Sequence, residues 1–389
     1  MNFFKKLFNI NTSIHFNTLQ NSDKYDDAKK TIVFICGSIP TFDKDSGSNR
    51  LKEIIKAYVE LNFNCIIIVN QLENATKYFD YFNDLGVLIY NDQKTKNNTI
   101  SFLKSIPKVD FIWYYGPNSL KKNYAIVSKI QPYSKSIYDM VDIHFLRYQR
   151  AIELNPKRIS LKKRYNKYFK IETVLAKRVD VVIAISEQEK SVMSSYLDKN
   201  KIITISNIHY PKTYRQDTLP FEKRKNILFI GSSHTPNIDA LYYLHEKIMP
   251  IVWKELPHLK VDIIGNLNNE ITDINHPNII FHGYVPEIES FFNAAKFMIA
   301  PLRYGAGVKG KIGQSFEYYL PLITTEIGAE GMFLKHNENA LIANNEEDFA
   351  SEIINLYNNE NLWKHLQNHS EESLKPFSRE ILKKKLLSI

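Results

Sequence analysis

Two cysteines in 389 residues are too few for a disulfide scaffold. Cys36 and Cys65 both fall in apolar, strand-like runs, which predicts buried thiols in a reducing compartment. No apolar run approaches the roughly 20 residues that a membrane span needs, so the expected chain is cytoplasmic, soluble or peripheral on the inner face of a membrane. Residues 1–10 place Phe3, Phe4, Leu7 and Phe8 around Lys5 and Lys6 without the apolar core and cleavage site of a signal peptide. They read as a frayed or membrane-touching N-terminus. Helix-turn-helix, zinc-finger and RNA-binding signatures are missing, so nucleic acid is not an expected partner despite a net charge of +9. No His/Cys/Asp cluster has metal-ligand spacing and no nucleophile triad is evident, so neither a metal nor a cofactor is expected.

What is present is length, aromatics and unevenly placed charge. A chain of this length predicts two domains with ample core, and 23 Tyr and 23 Phe with 44% hydrophobic residues describe a globular protein. Residues 1–200 hold 31 of the 51 Lys+Arg and 20 of the 42 Asp+Glu, so the first half should face something anionic, either a membrane surface or a phosphate-bearing acceptor. Between 157 and 170 seven basic residues occur without an acidic one, and Leu161, Tyr165 and Tyr168 share a helical stripe. That segment reads either as a basic surface for anionic lipid or as a solvated helix packed by its stripe.

Apolar runs at 30–36, 64–69, 86–90, 109–115, 136–141, 179–186 and 202–206 alternate with helical segments. Alternation of this kind predicts a parallel sheet, and continuous apolar strands predict helices on both faces. Loops at the C-terminal ends of such strands bind ligands. The first carries Asp43, Asp45, Ser46, Gly47 and Ser48, followed by a helix from about 50 to 61. The fifth carries Asp139, Asp142, His144 and Arg147. A polar stretch at 211–225 with two prolines reads as a linker. A second α/β unit then opens with a strand at 227–230, followed by Gly231 and His234, with Asn237 placed to cap the next helix.

The stretch 297–332, FMIAPLRYGAGVKGKIGQSFEYYLPLITTEIGAEGM, parses as strand, Gly-rich loop, helix, strand and second Gly-rich loop. Ile312, Phe316, Tyr319 and Leu320 would share one apolar helix face, with Pro321 as the stop. Gly305, Gly307 and Gly310 are interleaved with Arg303, Lys309 and Lys311 at the helix start. Cations there oppose the macrodipole by roughly 0.3–1 kcal/mol, so their presence points to a bound anion, most simply a phosphate or diphosphate.

This stretch resembles the donor-site motif of the retaining nucleotide-sugar glycosyltransferases of family four (glycosyl transferases group 1). Lys309, Gly310, Lys311, Pro321, Thr324, Gly328, Ala329, Glu330 and Gly331 fall into the pattern. The resemblance implies the GT-B fold: two Rossmann-like parallel-sheet domains facing a cleft, an acceptor-side domain at 1–217, a nucleotide-sugar domain at 218–365, and a closing helix at 366–389 that crosses back. It implies sugar transfer with retention to a hydroxyl acceptor, a bacterial envelope glycan or a lipid-linked glycan, from a nucleoside-diphosphate sugar.

By the same resemblance Lys309, Lys311 and Arg303 cradle the diphosphate. Gly231, His234, Asn237, Gly305, Gly307 and Glu330 lie on the donor. Asp142 or His144 stands beside the reacting sugar, and Asp45, Ser46 and Gly47 come near the acceptor. Many relatives carry a glutamate where Gln314 stands, accepting from ribose hydroxyls, and Glu317 one turn on is its alternative here. Asp43 and Asp45 also resemble the metal-binding D-x-D of the other large glycosyltransferase fold. Two other readings share the fold: a non-hydrolysing nucleotide-sugar epimerase, and an inactive partner of a second enzyme.

Overall fold

The computed structural model of the protein describes residues 24–69, 76–91, 96–267 and 271–389; the expectation for residues 1–10 lies outside them. The first half forms seven strands, β1 (Thr31–Ile35), β2 (Asn64–Val69), β3 (Leu88–Asn91), β4 (Phe111–Tyr115), β5 (Lys135–Asp139), β6 (Val181–Ala184) and β7 (Ile202–Thr204). They pair in parallel in the order β3-β2-β1-β4-β5-β6-β7. The second half repeats the plan with β8 (Ile227–Ile230), β9 (Val261–Ile264), β10 (Ile279–Gly283), β11 (Phe297–Ala300), β12 (Leu322–Thr324) and β13 (Leu341–Ile342), in the order β10-β9-β8-β11-β12-β13. In both sheets the chain reverses its direction of strand addition beside the first strand, and that switch point opens the crevice in which such folds hold ligands.

The continuous apolar strands are buried on both faces, as their composition predicts. One side of the first sheet packs Val33, Ile66, Ile112 and Tyr138, and the other packs Ile32, Phe34, Ile67 and Trp113. Cys36 and Cys65 are free and buried. At the C-terminus the helix Arg379–Leu387 returns to the first domain. There Leu382 and Leu386 join the apolar layer under the helix Ser46–Glu60, and Arg379 and Lys383 bind Glu60 at 2.8 Å each.

Several expected boundaries move. The helix expected from about 50 starts at Ser46, because the Asp45 side chain accepts from the Ser48 N–H at 2.7 Å and caps it. The helix expected to run to Pro321 ends at Glu317, and Tyr319 takes a left-handed φ of 54°. Asn237 is not a cap: the helix Thr235–Tyr243 starts two residues earlier, and His234 is its N-cap residue. Residues 211–225 are pinned to the second domain. Leu219 N–H donates to Asn293 at 2.7 Å, and the buried Arg224 donates to the carbonyls of Phe292 and Ala295.

Residues 157–170 form most of the helix Ile159–Thr173. Tyr165 and Phe169 pack on Phe145, and Tyr168 packs on Tyr148, so the aromatic stripe is spent against the neighbouring helix His144–Leu154. The lysines and Arg164 stay on the exposed face. Among the described residues no helix is long and apolar enough to cross a membrane.

Candidate active site

The site is built where the ends of β5 and β11 meet across the interdomain cleft. After β5 the chain turns sharply. Asp139 is wholly buried, bound by Arg50 at 2.8 and 2.9 Å and by the Trp113 indole at 3.1 Å, which anchors the strand end. Val141 follows with φ 66°, a left-handed conformation that a β-branched residue adopts only under constraint. This turn throws Asp142 and His144 forward. The Asp142 carboxylate lies 2.9 Å from His144 Nδ1 through one oxygen and 2.9 Å from Arg147 through the other. Burial alone would raise its pKa, but the two cations outweigh burial and hold the carboxyl well below the usual carboxylate range. His144 meets a second acid, Glu172, at 3.0 Å. Burial would depress the imidazole, and the two carboxylates instead raise it to about 10.

The N-terminus of the helix His144–Leu154 has no side-chain cap of its own, because Ile143 stands at the cap position. Two acids distant in sequence replace it. Glu189 accepts from the Ile143 N–H at 3.1 Å, and Glu172 accepts from the N–H groups of His144 and Phe145 at 3.1 and 3.0 Å. Burial and the nearby Asp142 push the Glu189 carboxyl up to about 8. The same helix sends two arginines across the cleft. Arg147 donates to His234 Nε2 at 3.2 Å, and Arg150 donates to the Gly305 carbonyl at 2.7 Å and to both oxygens of Glu330 at 2.5 and 2.7 Å.

From the second domain, the loop after β11 runs through Gly305 and Gly307 to the helix Gly310–Glu317, whose N-cap residue is Lys309. Gly307 has φ +74°, and a Cβ there would lie 2.9 Å from the Asp142 Cβ, so only glycine lets the loop approach the opposite domain. At Gly310 a Cβ would collide with Ser46 of the acceptor-side loop. The Lys309 ammonium is buried, donates to the Gly307 carbonyl at 2.7 Å and lies 3.5 Å from Glu330. Burial lowers its pKa, and Glu330 and Glu189 oppose the shift. Lys311 binds the Asn237 side-chain oxygen at 2.7 Å, and burial together with the charge of Lys309 brings it down to about 7. Asn237 thus positions a lysine, and its own amide N–H donates to the Ser232 carbonyl at 3.0 Å.

Other expected residues go elsewhere. Arg303 is held at the cleft margin by Asp239, at 2.5 and 2.9 Å, and stacks on Tyr243, so the structure does not group it with the two lysines. Glu317 is not a solvated helix residue: it is buried and paired with His209 at 2.9 Å. Gln314 is half-buried on the helix and makes no side-chain hydrogen bond among the described residues. Gly231 follows β8, and Gly47 lies in the first turn of the helix Ser46–Glu60. Asp43 binds Lys77 at 2.6 Å and Tyr284 at 3.3 Å while Asp45 caps its helix, so the two acids have separate structural partners. Among the described residues no group of three or more metal-ligating side chains converges.

Arg150, Glu172 and Glu189 were not singled out from sequence. Each acts on a partner 27 to 180 residues away, and no local pattern announces it.

Residues 224–359 match the family model of glycosyl transferases group 1. The match covers most of the second domain. The described residues have the GT-B fold. The chain superposes on Anabaena HepE solved with UDP and glucose (TM-score 0.68, 13% identity, 92% of this chain and 98% of that one). It also superposes on Staphylococcus aureus TarM, a mutant solved with fondaparinux, α-GlcNAc-glycerol and UDP (TM-score 0.69, 13% identity, 92% and 99%). A third likeness is to sucrose-phosphate synthase of Thermosynechococcus elongatus (TM-score 0.70, 12% identity, 92% and 98%). At these identities the likeness is one of fold. An uncharacterized 44.6 kDa protein in the cps region of Klebsiella pneumoniae is 34% identical over 145 residues, which is 34% of this chain and 37% of the relative. An uncharacterized glycosyltransferase of Methanocaldococcus jannaschii is 26% identical over 229 residues, 57% of this chain and 60% of the relative. The chain thus spans between about a third and three fifths of the curated relatives it matches.

Proposed function

We propose that the protein transfers a sugar from a nucleoside-diphosphate sugar to a hydroxyl acceptor with retention at the anomeric carbon. The observation that carries this reading is the pair of half-buried lysines, Lys309 and Lys311, at the start of the helix Gly310–Glu317, on the loop whose Gly307 packs against Asp142. As the bond between the anomeric carbon and the diphosphate oxygen breaks, negative charge grows on the leaving group. The two lysines and the free N–H groups of the helix start stand ready in place to meet that charge, Lys311 in its protonated form. The acceptor oxygen bonds to the anomeric carbon from the face the diphosphate leaves, and the departing diphosphate oxygen takes the acceptor's proton. No protein base is required, and no residue of the cleft is assigned that part.

The UDP in the HepE and TarM structures makes uridine diphosphate sugars the first donors to test, and the cps-region relative favours an envelope-polysaccharide acceptor. The exposed cationic face of the helix Ile159–Thr173 fits an anionic membrane that carries such an acceptor. Co-sedimentation with anionic but not neutral vesicles supports that placement, and equal binding to both counts against it.

The deciding experiment offers the purified protein a panel of sugar nucleotides in excess EDTA, following binding and slow release of nucleoside diphosphate. Release from one donor supports transfer without a metal. An isomerised sugar nucleotide with no diphosphate released indicates an epimerase. Absence of binding to every donor indicates an inert partner protein, and activity that returns only with magnesium or manganese shows that a metal is needed.

A further inference from the structure

Glu172 is wholly buried at the end of the helix Ile159–Thr173, and its carboxylate does two things at once. Its oxygens accept the first N–H groups of the helix His144–Leu154, and one of them stands 3.0 Å from His144 Nδ1. Burial raises the Glu172 carboxyl, and the His144 imidazole together with the backbone N–H donors opposes that shift, so the ionised acid and the charged imidazole support each other as a pair. On its other side the same Nδ1 meets Asp142 at 2.9 Å, and the Tyr168 ring lies against the imidazole at 4.8 Å. Further charged or titratable neighbours are Arg147 on the same helix, Glu189 on the helix Glu187–Met193, His234 across the cleft, and the buried Tyr138 of β5, which lies near Glu172. His144 Nε2 makes no hydrogen bond among the described residues, and the side chain keeps 16% of its surface exposed.

We propose that Glu172 is a positioning residue: it fixes the His144 ring by Nδ1 and keeps it protonated, so that His144 presents Nε2–H to the cleft as a donor and cannot serve as a base. This role within catalysis rests on the transfer reading, whereas the charge state of His144 does not. The direction is supported by the upward shift of His144 to about 10. An imidazolium here adds a third cation to the two lysines on the far side of the cleft, where a diphosphate or a sugar hydroxyl would accept from it.

The test is a ¹⁵N-imidazole NMR titration of the full chain, with His144 assigned by comparison with His144→Gln. In the unmodified protein His144 should show both ring nitrogens protonated through pH 8. Glu172→Gln, which keeps the shape and one acceptor oxygen, should lower the midpoint by about 1–3 pH units. A His144 that titrates like a free histidine in the unmodified protein overturns the proposal even if the variant does not fold. An unmoved midpoint in a folded Glu172→Gln assigns the charge to Asp142 alone and removes Glu172 from the role. If a donor is found, the pH–rate profile of Glu172→Gln should gain a falling alkaline limb that follows the new His144 midpoint. A profile identical to that of the unmodified protein then rejects the donor role, while the NMR result stands independently of whether any donor is turned over.

Discussion

Lys309 and Lys311 are two residues apart and meet different surroundings, so their charges should be used differently. Lys309 has Glu330 at 3.5 Å and Glu189 nearby, which oppose the lowering of its pKa by burial. Truncating it removes an interaction that strengthens as the leaving group gains charge. Lys309→Ala should therefore lower kcat by about a hundred- to a thousandfold, or about 2.7–4 kcal/mol, with a smaller rise in donor KM. Steady-state kinetics on a variant shown to be folded by thermal melting checks this. Lys311 has no carboxylate partner among the described residues, and burial with the charge of Lys309 brings it down to about 7. A diphosphate prefers the protonated form, so above pH 7 binding must draw a proton from solution. Donor affinity should fall, by at most about tenfold per pH unit, as pH rises from 7 toward the midpoint of the bound state. Calorimetry at pH 8 in two buffers of different ionisation enthalpy should report proton uptake; none would place the diphosphate away from Lys311. Both lysines were legible in the sequence because cations at a helix start defy the dipole. A residue count could not show that the helix turns the Glu317 side chain toward His209.

At the scale of elements, the helix His144–Leu154 is the part that joins the two halves of the site. Its N-terminus is clamped by Glu172 and Glu189, and Arg147 and Arg150, one turn apart, reach the second domain. Arg150 grips the residue and the loop that the donor is expected to touch, so domain closure and donor contact share one side chain. Arg150→Ala and Glu330→Ala should each reduce kcat/KM. The double variant should lose less than the sum, with a coupling of about 1 kcal/mol, inside the usual range for directly bonded pairs. Strict additivity would mean that the pair is incidental. Little of this could be read beforehand. The sequence displays Asp142, His144 and Arg147 as polar residues gathered after a strand, but a cap supplied from 172 and 189 exists only once the chain has folded. The D-x-D shows the opposite error. Its spacing suits a metal, and it also suits an aspartate that caps the helix Ser46–Glu60, which is where the backbone puts Asp45.

For the whole molecule, alternation of apolar runs with helical segments was enough to anticipate two parallel sheets and the seven strands of the first, since its central strands are buried on both faces and show no competing period. Strand ends were less legible. The fifth run stays apolar beyond Asp139, yet the strand stops there because Val141 is forced left-handed. The crossing helix Arg379–Leu387 makes the domains interdependent, because Leu382 and Leu386 complete the apolar layer of the domain to which they are not adjacent in sequence. Leu382→Ala should cost about 2–5 kcal/mol, the range for a buried leucine truncation. Hydrogen exchange should show the loss in the helix Ser46–Glu60 before the second sheet is affected. Uniform loss across both domains would mean that they unfold as one unit.

The hydrogen atom that stands in for a side chain at Gly310 has a mechanical consequence. The helix carrying the two lysines can rest directly on Ser46 only because nothing projects there, so this glycine acts as the stop that sets how far the jaws can shut. The backbone at Gly310 is ordinary helix, so alanine should be tolerated by the domain itself and act as a wedge of one methyl group between the two. Gly310→Ala should keep its melting temperature and yield a larger radius of gyration by solution X-ray scattering, a jaw propped open. An unchanged radius would show that the seam has slack the static geometry hides.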